Sequence, residues 1–236
     1  MTTATDKSTF WQGFRDGMPF VLGVAPFALL FAVIATEAGF DVLKIMVMSY
    51  LVIAGAAQFT ALAQMQENAP VFMVLAASLA VNLRMAMYSA SIAAHLGPAP
   101  LWQRAIAAYI LVDNTYAQGV TKFDAHPGWP VSRKMAYYFG CAVPAWITWY
   151  VMVFAGAWFG RAIPDGFALD FAPAIIFISI LAPMLKTLAH VAAALTSLVL
   201  ALALAFLPYS SGLLVAALAA MIVGAWVETR MQVAAS

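Results

Sequence analysis

Four polar side chains stand inside apolar runs where lipid-facing residues are expected: Gln58, Asn82, Arg84 and Asp113. Polar groups at membrane depth are expensive and are kept mainly where they face a bundle interior or a water-filled cavity. Arginine presents a two-pronged fork that matches a carboxylate. Aspartate matches an ammonium or carries a proton. Together they fit a zwitterion. Arg84, Tyr88 and Ser91 fall at i, i+4 and i+7 of one helix, and Tyr109, Asp113 and Tyr116 form a second stripe. The bland alternative is a buried ion pair that hides two charges and fixes helix register.

Pro19, Gly23 and Pro26 share one helical face. Proline removes an amide donor and frees a carbonyl. In lipid such groups are satisfied by neighbours or line a cavity. This face is therefore expected to open the first helix and offer backbone to a substrate, as in transporters with discontinuous helices. His190 is a candidate proton carrier beside Asp113, because histidine titrates near neutral pH. His95 and His126 are expected in solvated loops. No spaced His, Cys or carboxylate cluster is visible in the sequence, so neither a metal site nor a cofactor is expected.

The elements that must position these residues are helices. Hydrophobic residues make up 65% of the 236-residue chain and charged ones 9%, against about 45–50% and 25% in soluble domains. The net charge of +1 gives no basis for nucleic-acid binding. Cys141 is the only cysteine, which excludes an internal disulfide. A span takes about 20 apolar residues. Eight runs qualify: 18–36, 43–65, 70–93, 101–120, 135–159, a short 171–185, 188–206 and 212–227. The first reads as a span rather than a cleaved signal.

The expected fold is an all-α integral membrane bundle of seven or eight transmembrane helices, with residues 1–236 as one transmembrane domain. If 171–206 forms a single broken element, the count is seven and the C-terminus changes side. With the N-terminus inside, Lys7, Arg15, Lys122, Arg133, Lys134, Lys186 and Arg230 fall on the cytoplasmic side, against Lys44, Arg104 and Arg161 outside. Trp102, Trp129, Trp149, Trp158 and Trp226 suit an interfacial belt. A faint repeat links Pro19-x3-Gly23-x2-Pro26 to Gly140-x3-Pro144.

The segments Gly17-Met18-Pro19-Phe20-x2-Gly23-x2-Pro26-Phe27, Gly55-Ala56-Ala57-Gln58-Phe59, Asn82-Leu83-Arg84-x3-Tyr88 and Asp113-x-Thr115-Tyr116 resemble the AzlC family. The resemblance covers most of the chain and is strongest over residues 14–118. It implies the large subunit of a branched-chain amino acid exporter in the bacterial cytoplasmic membrane. It also implies a small AzlD-type membrane subunit as partner. No nucleotide-binding loop is present, in keeping with secondary transport. On this reading Arg84 anchors the substrate carboxylate and Asp113 the ammonium or a coupling proton. Gln58, Asn82, Tyr88 and Tyr116 add hydrogen bonds, and Pro19, Gly23 and Pro26 add open backbone. A membrane scaffold, a channel subunit, or a carrier of another small zwitterion is the second reading. An intramembrane enzyme is disfavoured, because no serine–histidine dyad or aspartate pair appears among the spans.

Overall fold

The computed structural model describes residues 6–160, 185, 187–207 and 211–235. The described residues form helices and no strand: α1 (Asp6–Gly17), a 3₁₀ turn (Met18–Phe20), α2 (Val21–Glu37), α3 (Val42–Leu51), α4 (Gly55–Gln66), α5 (Val71–Leu96), α6 (Leu101–Tyr109), α7 (Asp113–Ala125), α8 (Val131–Phe159), α9 (Leu188–Ala203) and α10 (Ser211–Ala235). Four stretches are long and apolar enough to cross a membrane: Asp6–Glu37, Val71–Leu96, Val131–Phe159 and Ser211–Met231. The expected span over 171–185 lies outside the described residues. The chain divides into two compact units, residues 1–59 with 81–165, and residues 60–80 with 166–236.

The first unit is built on a seam between α1–α2 and α8. Gly13 lies against the Tyr137 carbonyl and Gly140 against the Phe10 carbonyl. A Cβ on Gly17 would stand 2.6 Å from the Cys141 carbonyl, and one on Gly156 2.5 Å from that of Leu29. Gly13-x3-Gly17 and Gly156-x3-Gly160 are small-x3-small spacings, which let backbones approach in lipid where no hydrophobic drive separates helix from tail. The pairs Gly13–Tyr137, Gly17–Cys141 and Gly156–Leu29 ascend together, so α1–α2 and α8 run parallel. The two members of the sequence echo, Pro19–Pro26 and Gly140–Pro144, thus sit on parallel helices. Pro144 lies inside an unbroken α8.

Two expected spans differ from the sequence reading. Residues 43–65 are not one helix: α3 stops at Leu51 and α4 starts at Gly55. Gln58 Nε2 donates to Ser49 Oγ at 3.1 Å. Nine residues of unbroken helix would set those α-carbons about 13 Å apart, beyond the combined reach of the side chains, so the chain reverses at 52–54. Gly39, at φ +85°, turns the chain from α2 into α3. Gly55 then meets Phe27, and Phe59 meets Phe27 and Phe31, so the first turn of α4 travels back alongside α2.

Residues 101–120 break in the same way, with α6 ending at Tyr109 and α7 starting at Asp113. Along α7, Asp113 pairs with Arg84, Tyr116 stacks on Tyr88, Gly119 meets Ile92, and Asp124 meets His95. Both series advance by eleven residues, so α7 runs parallel to α5 and ends beside the end of α5. The chain leaves α5, descends about 13 Å through α6, and returns. This is a helical hairpin whose return arm, α7, lies alongside α5.

The hairpins enter from opposite ends. The first starts beside the end of α2. The second finishes beside α1, where Lys122 Nζ lies 3.5 Å from Asp16, and just beyond it Arg133 Nε of α8 donates to Thr9 at 3.1 Å. Their tips meet: the Tyr109 hydroxyl donates to the Tyr50 carbonyl at 2.7 Å and lies 3.2 Å from the Tyr150 hydroxyl. Helix-plus-hairpin, α2 with α3–α4, is thus followed by helix-plus-hairpin of opposite direction, α5 with α6–α7. Trp149 is not in a belt. It is 8% exposed and packs with Phe27 and Phe31 deep in the seam.

In the second unit α9 and α10 pack on each other so closely that a Cβ on Gly224 would stand 3.1 Å from the Ala193 methyl. Thr187 caps α9, accepting from the His190 amide at 3.2 Å.

Candidate functional site

Both breaks fall where β-branched residues cluster, at Val52-Ile53 and at Ile110 and Val112, and not at prolines. Val52 and Val112 adopt extended backbone, at φ −132° and −136°. β-branched side chains crowd a helix turn and favour the extended state. Each break leaves a new helix N-terminus inside the unit. The residue placed at the α7 terminus is Asp113, a carboxylate on the favoured side of the helix dipole.

Arg84 Nη1 and Asp113 Oδ2 lie 2.9 Å apart, joining α5 to the start of α7. Their side chains are 34% and 49% exposed, so each can still be approached by a small solute. Tyr88, one turn on from Arg84, interacts with the Asp113 carboxylate. The Tyr88 and Tyr116 rings stack at 4.2 Å, and the Tyr116 hydroxyl donates to Ser91 Oγ at 3.0 Å. Arg84, Asp113, Tyr88 and Tyr116 therefore come together as the sequence spacing predicts. Tyr109 does not share their stripe, because the break puts it on α6 at the hairpin tip.

Around the pair, several buried polar atoms have no hydrogen-bond partner among the described residues: Asn82 Oδ1, Arg84 Nε, Asn114 Nδ2, Thr115 Oγ1 and both amide atoms of Gln118. An unmet polar atom away from water costs roughly 1–3 kcal/mol. Such atoms concentrated on facing helices ask for a polar guest. Asn114 and Gln118 went unnoticed in sequence and Thr115 entered only as part of the family motif, although all three follow Asp113 in the first turns of α7. Gln58 is fully buried in the other hairpin, with Oε1 unpartnered. Pro19 sits in the 3₁₀ turn and Pro26 inside α2, while the space around Gly23 is open. The helix narrows there without stopping. His190 lies in the first turn of α9, in the other unit from Asp113. Among the described residues no His, Cys, Asp and Glu cluster of metal-binding size occurs.

His95 is not a loop residue. It occupies the last turn of α5, with Nε2 3.4 Å from Asp124 Oδ1. His126 is exposed and stacks on Trp129.

The sequence profile described as AzlC protein matches residues 19–163, which include both hairpins and the ion pair. The inner membrane protein YgaZ of Escherichia coli K12 is 25% identical over 191 residues, 75% of this chain and 74% of that protein. An uncharacterized membrane protein of Archaeoglobus fulgidus is 27% identical over 231 residues, 96% of this chain and 99% of that one. One from Helicobacter pylori is 29% identical over 112 residues, 46% of this chain and 49% of that one. No solved structure matches. The profile covers more than half of the chain, and this multi-pass membrane protein belongs to the AzlC family.

Proposed function

We propose that the protein is the large subunit of a secondary exporter of branched-chain or similar hydrophobic amino acids, and not an enzyme. The observation that carries this reading is the Arg84–Asp113 pair at 2.9 Å, set at the tip of a re-entrant hairpin among unmet polar atoms. A zwitterionic backbone answers both charges, with the carboxylate on the Arg84 fork and the ammonium on Asp113. Substrate replaces one ion pair by two, so the desolvation of each charge is offset when the site fills.

Residues 1–236 act as one transport domain of seven or eight membrane-inserted elements, of which α3–α4 and α6–α7 are re-entrant. Lys7, Arg15, Arg104, Lys122, Arg133 and Lys134 gather at the end where α1 begins, against Lys44 at the other. The structure moves Arg104 to this side, since α6 starts where α5 and α7 end. By the positive-inside rule that end is cytoplasmic, in the inner membrane of a bacterium. A small AzlD-type subunit is the partner, and proton or membrane potential drives export.

The test is retention of radiolabelled leucine and valine in cells preloaded with dipeptide. Cells expressing the chain with its small neighbour subunit are expected to lose label faster than cells with Arg84→Ala. Equal efflux from an Arg84→Ala protein of normal abundance would remove Arg84 from the site.

A further inference from the structure

The seam between α5 and α7 carries a polar side chain of α5 at each turn on one side of the ion pair. Arg84, Tyr88, Ser91 and His95 form a stripe at i, i+4, i+7 and i+11 of α5. Facing them on α7 are Asp113, Tyr116 and Asp124. A packed seam in lipid has no need of this, because small and apolar residues suffice. The contacts run in order. Asp113 holds Arg84 and Tyr88, and Tyr88 stacks on Tyr116. Tyr116 donates to Ser91, which stands one turn from His95, and His95 meets Asp124. Asp124 is 65% exposed at the end of α7, whereas His95 is 21% exposed. From Asp113 to Asp124 is about 16 Å along the helix.

We propose that His95 and Asp124 are the proton port of this transporter, and that the hydroxyls of Ser91, Tyr116 and Tyr88, with water completing the path between them, carry protons between it and Asp113. The proposal rests on the proton-coupled form of the export reading. An imidazole takes a proton from water beside the Asp124 carboxylate. It passes one to Ser91 across a single bridging water. Ser91 and Tyr116 exchange donor and acceptor roles, since Tyr116 is the donor at rest, and each hydroxyl then gives up its own proton as it gains another. Asp113 receives the last one and becomes neutral, which releases Arg84. Net transfer is one proton from the surface to Asp113, and every hydroxyl ends as it began. The charged groups facing His95 are Asp124 from α7, Arg104 at the start of α6 with its guanidinium on the Gly97 carbonyl at 3.4 Å, and Lys134 of α8. Lys134 lies over the Phe123 ring, which also packs on His95. The Asp124 carboxylate lies 3.4 Å from the imidazole.

The experiment uses the full chain with its small subunit in proteoliposomes carrying a trapped pH dye. Two fluxes are measured: leucine-for-leucine exchange, and net leucine transport with its proton signal. His95→Gln and Asp124→Asn are compared with Trp102→Phe as a remote control. Expected is near-normal exchange in both variants, with net transport and dye signal down at least tenfold. Undiminished net transport and dye signal would overturn the port. So would a parallel fall of exchange and net flux, which marks His95–Asp124 as a strut between helices. Wild-type exchange without any dye signal would refute proton coupling and this proposal, while leaving amino-acid export standing. Absence of wild-type exchange would refute export itself, and the port with it.

Discussion

Arg84 and Asp113 were legible because a charge in an apolar run has few physical reasons to be there. Their meeting was legible too, since equal depth on neighbouring helices makes contact cheap. The fork of Arg84 is the part that recognises a carboxylate, so Arg84→Lys keeps the charge and loses the geometry. It is expected to lower leucine efflux at least tenfold, which is about 1.4 kcal/mol of transition-state binding, as read from initial efflux rates. His95–Asp124 was not legible. His95 lies next to Gly97 and Pro98, which read as a turn, and only the fold brings Asp124 to it. At the other end of the molecule Asp41 caps α3, accepting from the Lys44 amide at 2.8 Å and pairing with its ammonium at 3.0 Å. The Lys44 amide and then the ammonium hold this carboxyl below its ordinary 3.8. A depressed carboxylate contributes stability above its unfolded pKa and loses it as pH falls through the folded one. Asp41→Ala is therefore expected to melt earlier than wild type in detergent at neutral pH, and Asp41→Asn to recover most of the loss. The gap between wild type and Asp41→Ala should close below about pH 4.

At the scale of elements, length and apolarity located α2, α5, α8 and α10 to within a few residues. They failed at the hairpins, because 43–65 and 101–120 are as long and apolar as true spans. The breaks there are set by β-branched residues ahead of Gly55 and Asp113, a weak local signal beside the prolines. Those prolines drew attention to α2 and α8, and neither helix is interrupted at Pro26 or Pro144. In lipid the cost of leaving a helix depends on where the freed groups go, and a proline facing a tight neighbour frees little. The glycine seam had the opposite history. Gly13, Gly17, Gly156 and Gly160 carry no charge and announce nothing until the helices are seen to run parallel. Gly17→Leu and Gly156→Leu are each expected to destabilise by about 1–3 kcal/mol through overpacking. The measurement is the temperature at which the monodisperse peak is lost in fluorescence-detected size exclusion. Gly23→Ala, with open space at the Cβ position, should leave it unchanged.

For the whole molecule, the composition alone established a helical membrane protein. What it could not convey is that two of its apolar runs turn back. That changes which loops share a side. Residues 97–100 and 126–130 lie at the same end as the start of α1, and residues 38–41 lie at the other. The buried Cys141 gives little background to a thiol reagent. With a membrane-impermeant maleimide on intact cells, Glu37→Cys should label, whereas Pro98→Cys and Gly128→Cys should label only after permeabilisation. A crossing at 101–120 would separate the last two.

The meeting of Tyr109 with the Tyr50 carbonyl and the Tyr150 hydroxyl has a further consequence. On the transport reading proposed above, each hairpin closes the path from its own side, like corks pushed into the two ends of one tube. Withdrawing either exposes a blind well, and a leak needs both to withdraw at once. The tyrosine clasp then works as an interlock: one tip is held while the other is free. Tyr109→Phe removes the shared hydroxyl and is expected to raise the passive dissipation of an imposed leucine gradient in proteoliposomes several-fold, with the substrate site untouched.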